Sequence, residues 1–228
     1  MAQLALRPPA APTLRTDDPD VHLGLHRIIC VGRNYADHAR EMGHDPDAEP
    51  PFFFMKPAAA LVHSGATIPY PPATNLLHFE AELAVLIGTG GAEVSPEDAD
   101  GLIWGYAAAN DLTRRDLQAE AKEKRRPWDM AKGFDRSCVV GQVTRAAEVD
   151  VSDLPIRCFV DHEVRQAAST ADMIWSVPQI IAHLSRLLTL QPGDLILTGT
   201  PAGVGALQAG QTCKVTVGDL DPAIVTIG

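Results

Sequence analysis

From His78 to Ile87 the chain reads His-Phe-Glu-Ala-Glu-Leu-Ala-Val-Leu-Ile, with an apolar residue at every second position. In an extended strand successive side chains point to opposite faces, so Phe79, Ala81, Leu83, Val85 and Ile87 share one side while Glu80 and Glu82 share the other. The pattern predicts a strand over residues 77–87 that carries two carboxylates side by side. Shorter apolar runs predict strands at 27–31, 52–56 and 104–112, a hairpin of 155–160 with 163–166 turning at Asp161-His162, and strands broken by Gly-rich turns from 195 to 227.

Helical spacing is rarer. Ile180, Ile181, Leu184, Leu187 and Leu188 recur at the spacing of one helix face, which predicts an amphipathic helix over 178–188. A short helix is expected over 35–42, ending at Gly43. Ser95-Pro96-Glu97-Asp98 reads as a helix start, with Ser as N-cap and Pro in the first turn. Thr113 with Asp116 three residues on reads as a capping box opening a helix over 114–124. Residues 43–51, rich in Gly, Asp and Pro, read as a mobile loop. Residues 1–26 form a Pro-containing N-terminal arm before a catalytic domain at 27–228. Many short strands and few helices make the fold class α+β, predominantly β.

Composition narrows the functional classes. With 228 residues, 46% of them hydrophobic, the chain can bury a full core as one domain with a small appendage. No apolar run approaches the roughly 20 residues of a membrane-spanning helix, and no basic-then-apolar leader opens the chain, so a cytoplasmic protein is expected. Cys30, Cys138, Cys158 and Cys213 are scattered and form no Cys-x-x-Cys pair, against both a zinc ribbon and a disulfide framework. A net charge of -10 argues against a nucleic-acid partner. If the substrate is anionic, local cations must overcome that field, and a metal ion, Arg115 and Lys132 are the candidates.

Two adjacent carboxylates repel unless a positive charge sits between them. A divalent cation held by Glu80, Glu82 and a third carboxylate, Asp111, answers this, and an all-oxygen set selects Mg2+ or Mn2+ over zinc. On spacing alone, paired acids on a strand are usually just a solvated face. His38 and Glu41, three apart in a helix, can share a proton; on spacing alone they are an ordinary exposed pair. Arg115 and Gln118 have the same spacing just beyond Asp111, where a guanidinium and an amide could grip a carboxylate. Thr198-Gly199-Thr200-Pro201-Ala202-Gly203-Val204-Gly205 lacks the Gly-Lys-Ser/Thr ending of a phosphate loop, so it is not read as a nucleotide site.

These motifs, together with Cys30-Val31-Gly32-Arg33-Asn34-Tyr35-Ala36-Asp37-His38 and Leu197-Thr198-Gly199-Thr200-Pro201, resemble the fumarylacetoacetate hydrolase family from about residue 27 to the C-terminus. Within it, Pro51-Phe52-Phe53-Phe54, Thr113-Arg114-Arg115-Asp116-Leu117-Gln118, Arg126-Pro127-Trp128 and Pro201-Ala202-Gly203-Val204-Gly205 look most like the bacterial branch that hydrolyses fumarylpyruvate in gentisate breakdown. Acylpyruvate hydrolases, oxaloacetate decarboxylases and an isomerase-decarboxylase are of similar sequence, so the family alone leaves the reaction open. The resemblance implies a mixed β-roll, a homodimer, metal ligands at Glu80, Glu82 and Asp111, and a water-activating His38–Glu41 dyad on a lid. It places Lys132 near the metal. A small anionic 2-oxo acid would be bound by Arg115, Gln118, the Thr200 amide or hydroxyl and, at its far end, Arg33.

Overall fold

The computed structural model describes residue 6, residues 9–41 and residues 50–228. In chain order the strands are β1 (Thr13–Arg15), β2 (His22–Gly24), β3 (Arg27–Gly32), β4 (Phe52–Lys56), β5 (Leu61–His63), β6 (Ala66–Ile68), β7 (Leu77–Phe79), β8 (Ala81–Ile87), β9 (Ile103–Asp111), β10 (Thr113–Arg114), β11 (Cys138–Val140) and β12 (Thr144–Arg145). They continue with β13 (Pro155–Val160), β14 (Glu163–Ser169), β15 (Asp194–Leu197), β16 (Gly205–Leu207), β17 (Thr212–Val217) and β18 (Ala223–Ile227). The helices are α1 (Ala36–Glu41), α2 (Arg115–Glu123), α3 (Asp129–Lys132) and α4 (Val177–Leu187).

The main sheet runs β4-β3-β15-β8-β9-β11-β5, with β12 also paired to β9, and a second sheet runs β14-β13-β17-β18-β6. The alternation over 77–87 decides how they stack. Phe79, Ala81, Leu83, Val85 and Ile87 bury into one apolar cluster with Ile156, Cys158, Val160, Val215 and Val225 of the second sheet and with Ile180, Ile181 and Leu184 of α4. Ala84 and Leu86, on the opposite face, join a second cluster with Ile28, Cys30, Ala107, Ala109, Leu195 and Leu197. The main sheet is therefore buried on both sides, which is why β8 is buried from end to end. The N-terminal arm is more than a tail: β1 and β2 pair antiparallel, and Leu14 and Leu25 bury in that second cluster.

The hairpin at Asp161-His162 forms as expected. Both residues have positive φ, 48° and 74°, the backbone that a tight hairpin turn demands. The expected amphipathic helix is α4, which also carries a capping box between Ser176 and Gln179 that the apolar spacing does not reveal.

Three expectations are corrected. The strand over 77–87 breaks at Glu80 into β7 and β8, because β7 pairs with β10 and β16 in a small separate sheet. Ser95 opens a turn followed by a 3-10 helix at Ala99–Leu102, its hydroxyl bonded to Asp98. The Thr113–Asp116 capping box does not form. Thr113 lies in β10 and donates to the nearby Asp111 carbonyl, while Asp116 accepts from the distant Thr74 hydroxyl and Asn75 amide, so neither side chain is left to cap α2. Of the expected mobile loop at 43–51, residues 43–49 lie outside the described residues, as does residue 42 at the expected helix end. Among the described residues no helix is long and apolar enough to cross a membrane.

Candidate active site

The carboxylate triad is a product of strand register. In the antiparallel pair of β8 with β9, Ala81 lies opposite Asn110 and Glu82 opposite Ala109, and the Asp111 amide donates to the Glu80 carbonyl at 2.9 Å. Glu80 and Asp111 thus face each other across the ladder, with Glu82 two residues along. All three lie on the face that carries Ala84, Leu86, Ala107 and Ala109, beyond the point where the apolar cluster ends. One oxygen from each lies within 4.8 Å of the others, and all three residues are buried. The solvated-face reading is excluded.

Three cations balance them. Lys132, from α3, donates to Glu80 Oε2 at 2.7 Å and to Asp111 Oδ2 at 2.8 Å. Burial works against its charge, but Asp111 and Glu80 outweigh that and hold its pKa above the ordinary lysine value. Arg115 pairs with Glu80 through Nη2, donates from Nη1 to Gln118 at 2.6 Å and from Nε to His78 Nδ1 at 3.3 Å, so three of its five N–H groups are engaged. Lys56 is the third and is absent from the sequence reading. It lies on β4 with its side chain fully buried, 2.7 Å from Asp111 Oδ1. Its protons go to the carbonyls of Leu112, Ser137 and Lys132, so that carboxylate oxygen has a charge beside it but no hydrogen bond. No signal in the sequence marks Lys56, because only the β3–β4 pairing turns it toward the triad.

The residues fit a hard divalent cation. The donor set is all oxygen, Asp111 Oδ1 is buried without a hydrogen-bond donor, and Glu82 has one found, the Gly199 amide at 2.6 Å. Burial, with Asp111 and Glu80 alongside, pushes the Glu82 carboxyl well above its ordinary range. Gly199 sits at φ +96°, and a Cβ there would lie 2.8 Å from the Asn34 Cβ. Only glycine lets the backbone bring its amide to Glu82.

A narrow cleft opens over the triad, lined among others by Arg33, His38, Glu80, Glu82, Arg115, Gln118, Lys132 and Thr200. Eight of the expected site residues thus meet at one opening. Asp111 lies beneath it, fully buried, and Glu41 behind His38. A larger groove, bordered by Tyr106, Val149, Met173 and Pro178, shares no lining residue with the cleft and none of its lining residues is a Lys, Arg or His. It is not where the chemistry lies.

His38 is buried on α1, its Nδ1 3.3 Å from Glu41 Oε2, which also accepts the Gly203 amide at 3.2 Å. Burial lowers the His38 pKa below 6.5, although Glu80 and Glu41 oppose it, so the ring is neutral at pH 7. With Nδ1 turned to Glu41, Nε2 keeps a lone pair for a proton. Thr200 Oγ1 accepts from Gln166 Nε2 at 2.9 Å, leaving its own proton to donate. Gln166 is a further residue missed by sequence reading. Arg33 lies over the Phe52 ring at 4.8 Å and has φ +62°, a rare conformation for a non-glycine residue.

A buried carboxylate triad and a neutral imidazole sharing one cleft define a metal-binding enzyme of predominantly β fold. Residues 27–227 match the fumarylacetoacetate (FAA) hydrolase C-terminal family, and the chain belongs to it. Its structure is similar to that of a fumarylpyruvate hydrolase from Pseudomonas aeruginosa in complex with Mn2+ and pyruvate, with a TM-score of 0.95 and 42% identity over 99% of each chain. The sequence is 43% identical to a fumarylpyruvate hydrolase of Ralstonia sp, over 81% of this chain and 96% of the relative. It is also 45% identical to a mitochondrial oxaloacetate tautomerase of Arabidopsis thaliana, over 84% of this chain and 85% of the relative.

Proposed function

We propose that this chain is a Mg2+- or Mn2+-dependent hydrolase of the carbon–carbon bond in 2,4-dioxo acids, with fumarylpyruvate as its preferred substrate and fumarate and pyruvate as products. The observation that carries the reading is the placement of neutral His38, backed by Glu41, in the cleft above Glu80, Glu82 and Asp111. The fumarylpyruvate hydrolases among its relatives, one of them holding Mn2+ and pyruvate, support it.

Charge accounting is consistent with an anionic substrate. Three carboxylates against Lys56, Lys132 and Arg115 leave the site neutral when all are ionised, and a divalent cation makes it positive. Glu80, Glu82 and Asp111 would hold that cation, which supplies Lewis acidity toward the 2-oxo acid end and stabilises the enolate charge that cleavage creates. Thr200 donates its hydroxyl proton to the 1-carboxylate, and Gln118 orients Arg115 beside it. His38 Nε2 takes a proton from water as the oxygen attacks C4. Glu41 holds the ring and balances the imidazolium charge. Lys132, with two of its three protons on Glu80 and Asp111, points the third toward the oxyanion forming at C4. The C3–C4 bond then breaks with its electron pair on C3, the water oxygen stays on C4 as part of fumarate, and the proton held by His38 returns to C3 to complete pyruvate.

The Arabidopsis relative favours oxaloacetate as a second candidate substrate. Tautomerisation or decarboxylation of oxaloacetate needs the cation and an enolate but no attacking water. The experiment is kcat/KM for both substrates with saturating Mg2+. Fumarylpyruvate is expected to be cleaved to fumarate and pyruvate with the higher value, and a wild type that processes oxaloacetate far faster replaces the hydrolase reading with the second.

The reading extends to assembly as a two-fold homodimer. Sedimentation at micromolar concentration is expected to give about twice 24.4 kDa, and a 24.4 kDa species alone rules the dimer out.

A further inference from the structure

Arg115, Gln118 and Lys122 stand three and four residues apart on α2, so they form one stripe along the helix. All three line the cleft. Arg115 bonds to Gln118 and pairs with Glu80 of the triad at the inner end, and Lys122 lies one turn farther out. Its ammonium is 5.4 Å from the centre of the Trp128 ring, which meets Phe52 edge-on at 5.3 Å, and Phe52 carries Arg33 on its face. The outer cleft is thus an aromatic wall with a cation against each ring. Among the described residues Lys122 has no carboxylate within 4.0 Å, in a chain of net charge -10. Burial, with Arg115 and Arg33 nearby, pushes its pKa down to about 8. An ammonium held half-buried among like charges, with no carboxylate paired to it among the described residues, suits an anion brought in by the ligand.

We propose that Lys122, braced on Trp128, binds the distal carboxylate of the substrate and so selects 2-oxo acids with a carboxylate at both ends over monoacids of equal length. This rests on the assignment of the inner cleft to the 2-oxo acid end. Lys122 touches the end of the substrate remote from the bond that breaks, so its effect lies in binding. The helical stripe is the sequence signal, since the spacing from Arg115 to Gln118 continues to Lys122 without interruption.

The test is calorimetric binding to the Mn2+-loaded protein of 2-oxoheptanedioate, which has the chain length of fumarylpyruvate, and of 2-oxoheptanoate, which lacks the distal carboxylate. Neither contains the 4-oxo group that hydrolysis requires, so binding is read apart from turnover. The wild type is expected to favour the diacid by about 10-fold or more, the scale of one charge-assisted hydrogen bond. Lys122→Met is expected to abolish that preference chiefly by weakening the diacid, and Lys122→Arg to retain most of it. A wild type without preference overturns the proposal. So does a Lys122→Met variant that weakens both ligands equally or keeps the preference. If the preference depends on Lys122 but fumarylpyruvate is not cleaved, the clamp stands and the hydrolase reading falls.

Discussion

Replacing His38 with Ala is expected to lower kcat/KM for fumarylpyruvate by about 10²- to 10⁴-fold, the range for loss of a general base. The cause is local. Among the described residues His38 bonds through its side chain to Glu41, and the metal-binding carboxylates are held instead by Lys132, Lys56, Arg115 and Gly199, so Mn2+ affinity should survive. Decarboxylation of oxaloacetate, which needs no attacking water, should fall much less. The pH profile provides a second readout. Because burial lowers the His38 pKa, the neutral ring persists somewhat below pH 6.5 and is lost as pH falls through the folded value, so wild-type kcat/KM should decline on that acid limb. The residual rate of the variant should lack the His38 limb. A variant that hydrolyses fumarylpyruvate at the wild-type rate would remove His38 from the mechanism.

The second large effect is expected from Glu82→Gln, which should weaken Mn2+ binding by more than about 10²-fold, beyond the usual loss on removing an outer-shell partner. An amide oxygen in place of the Glu82 carboxylate removes a charge but keeps the volume and can still accept the Gly199 N–H. Since burial and the neighbouring acids already favour the protonated, uncharged Glu82 in the metal-free protein, the substitution should disturb the apo fold little. The apo melting temperature should therefore move by a few degrees at most, while the rise that Mn2+ gives the wild type should disappear at the same metal concentration. Undiminished Mn2+ affinity by calorimetry would exclude Glu82 as a ligand. A large loss of apo stability would show instead that the carboxylate serves the fold.

Much of this site was legible in the chain because strand alternation is a local property. Glu80 and Glu82 are forced onto one face by the same period that sends Phe79, Ala81 and Leu83 into the core. His38 and Glu41 are neighbours for the same reason on a helix, and their 3.3 Å contact follows from it. Local signals also misled. Thr113 and Asp116 have capping-box spacing, but partners distant in sequence, above all Thr74 and Asn75, compete for Asp116 and win. The break of the expected strand at Glu80 has the same origin, since β7 follows β10 and β16 into another sheet.

The sequence by itself determined the fold class, the face on which each β8 residue lies and the residue types of the donor set, because each depends on one period or one side-chain chemistry. Only the tertiary structure decided the rest. The β8–β9 register put Asp111 opposite Glu80, and a shift of one residue would have turned it to the other face. The β3–β4 pairing brought Lys56 under Asp111, and α3 placed Lys132 between two carboxylates. Those contacts join residues 21 to 55 positions apart, and no local preference encodes a distance of that kind. It arises when the sheets close over their two apolar faces and leave one end of the carboxylate-bearing face open as a cleft.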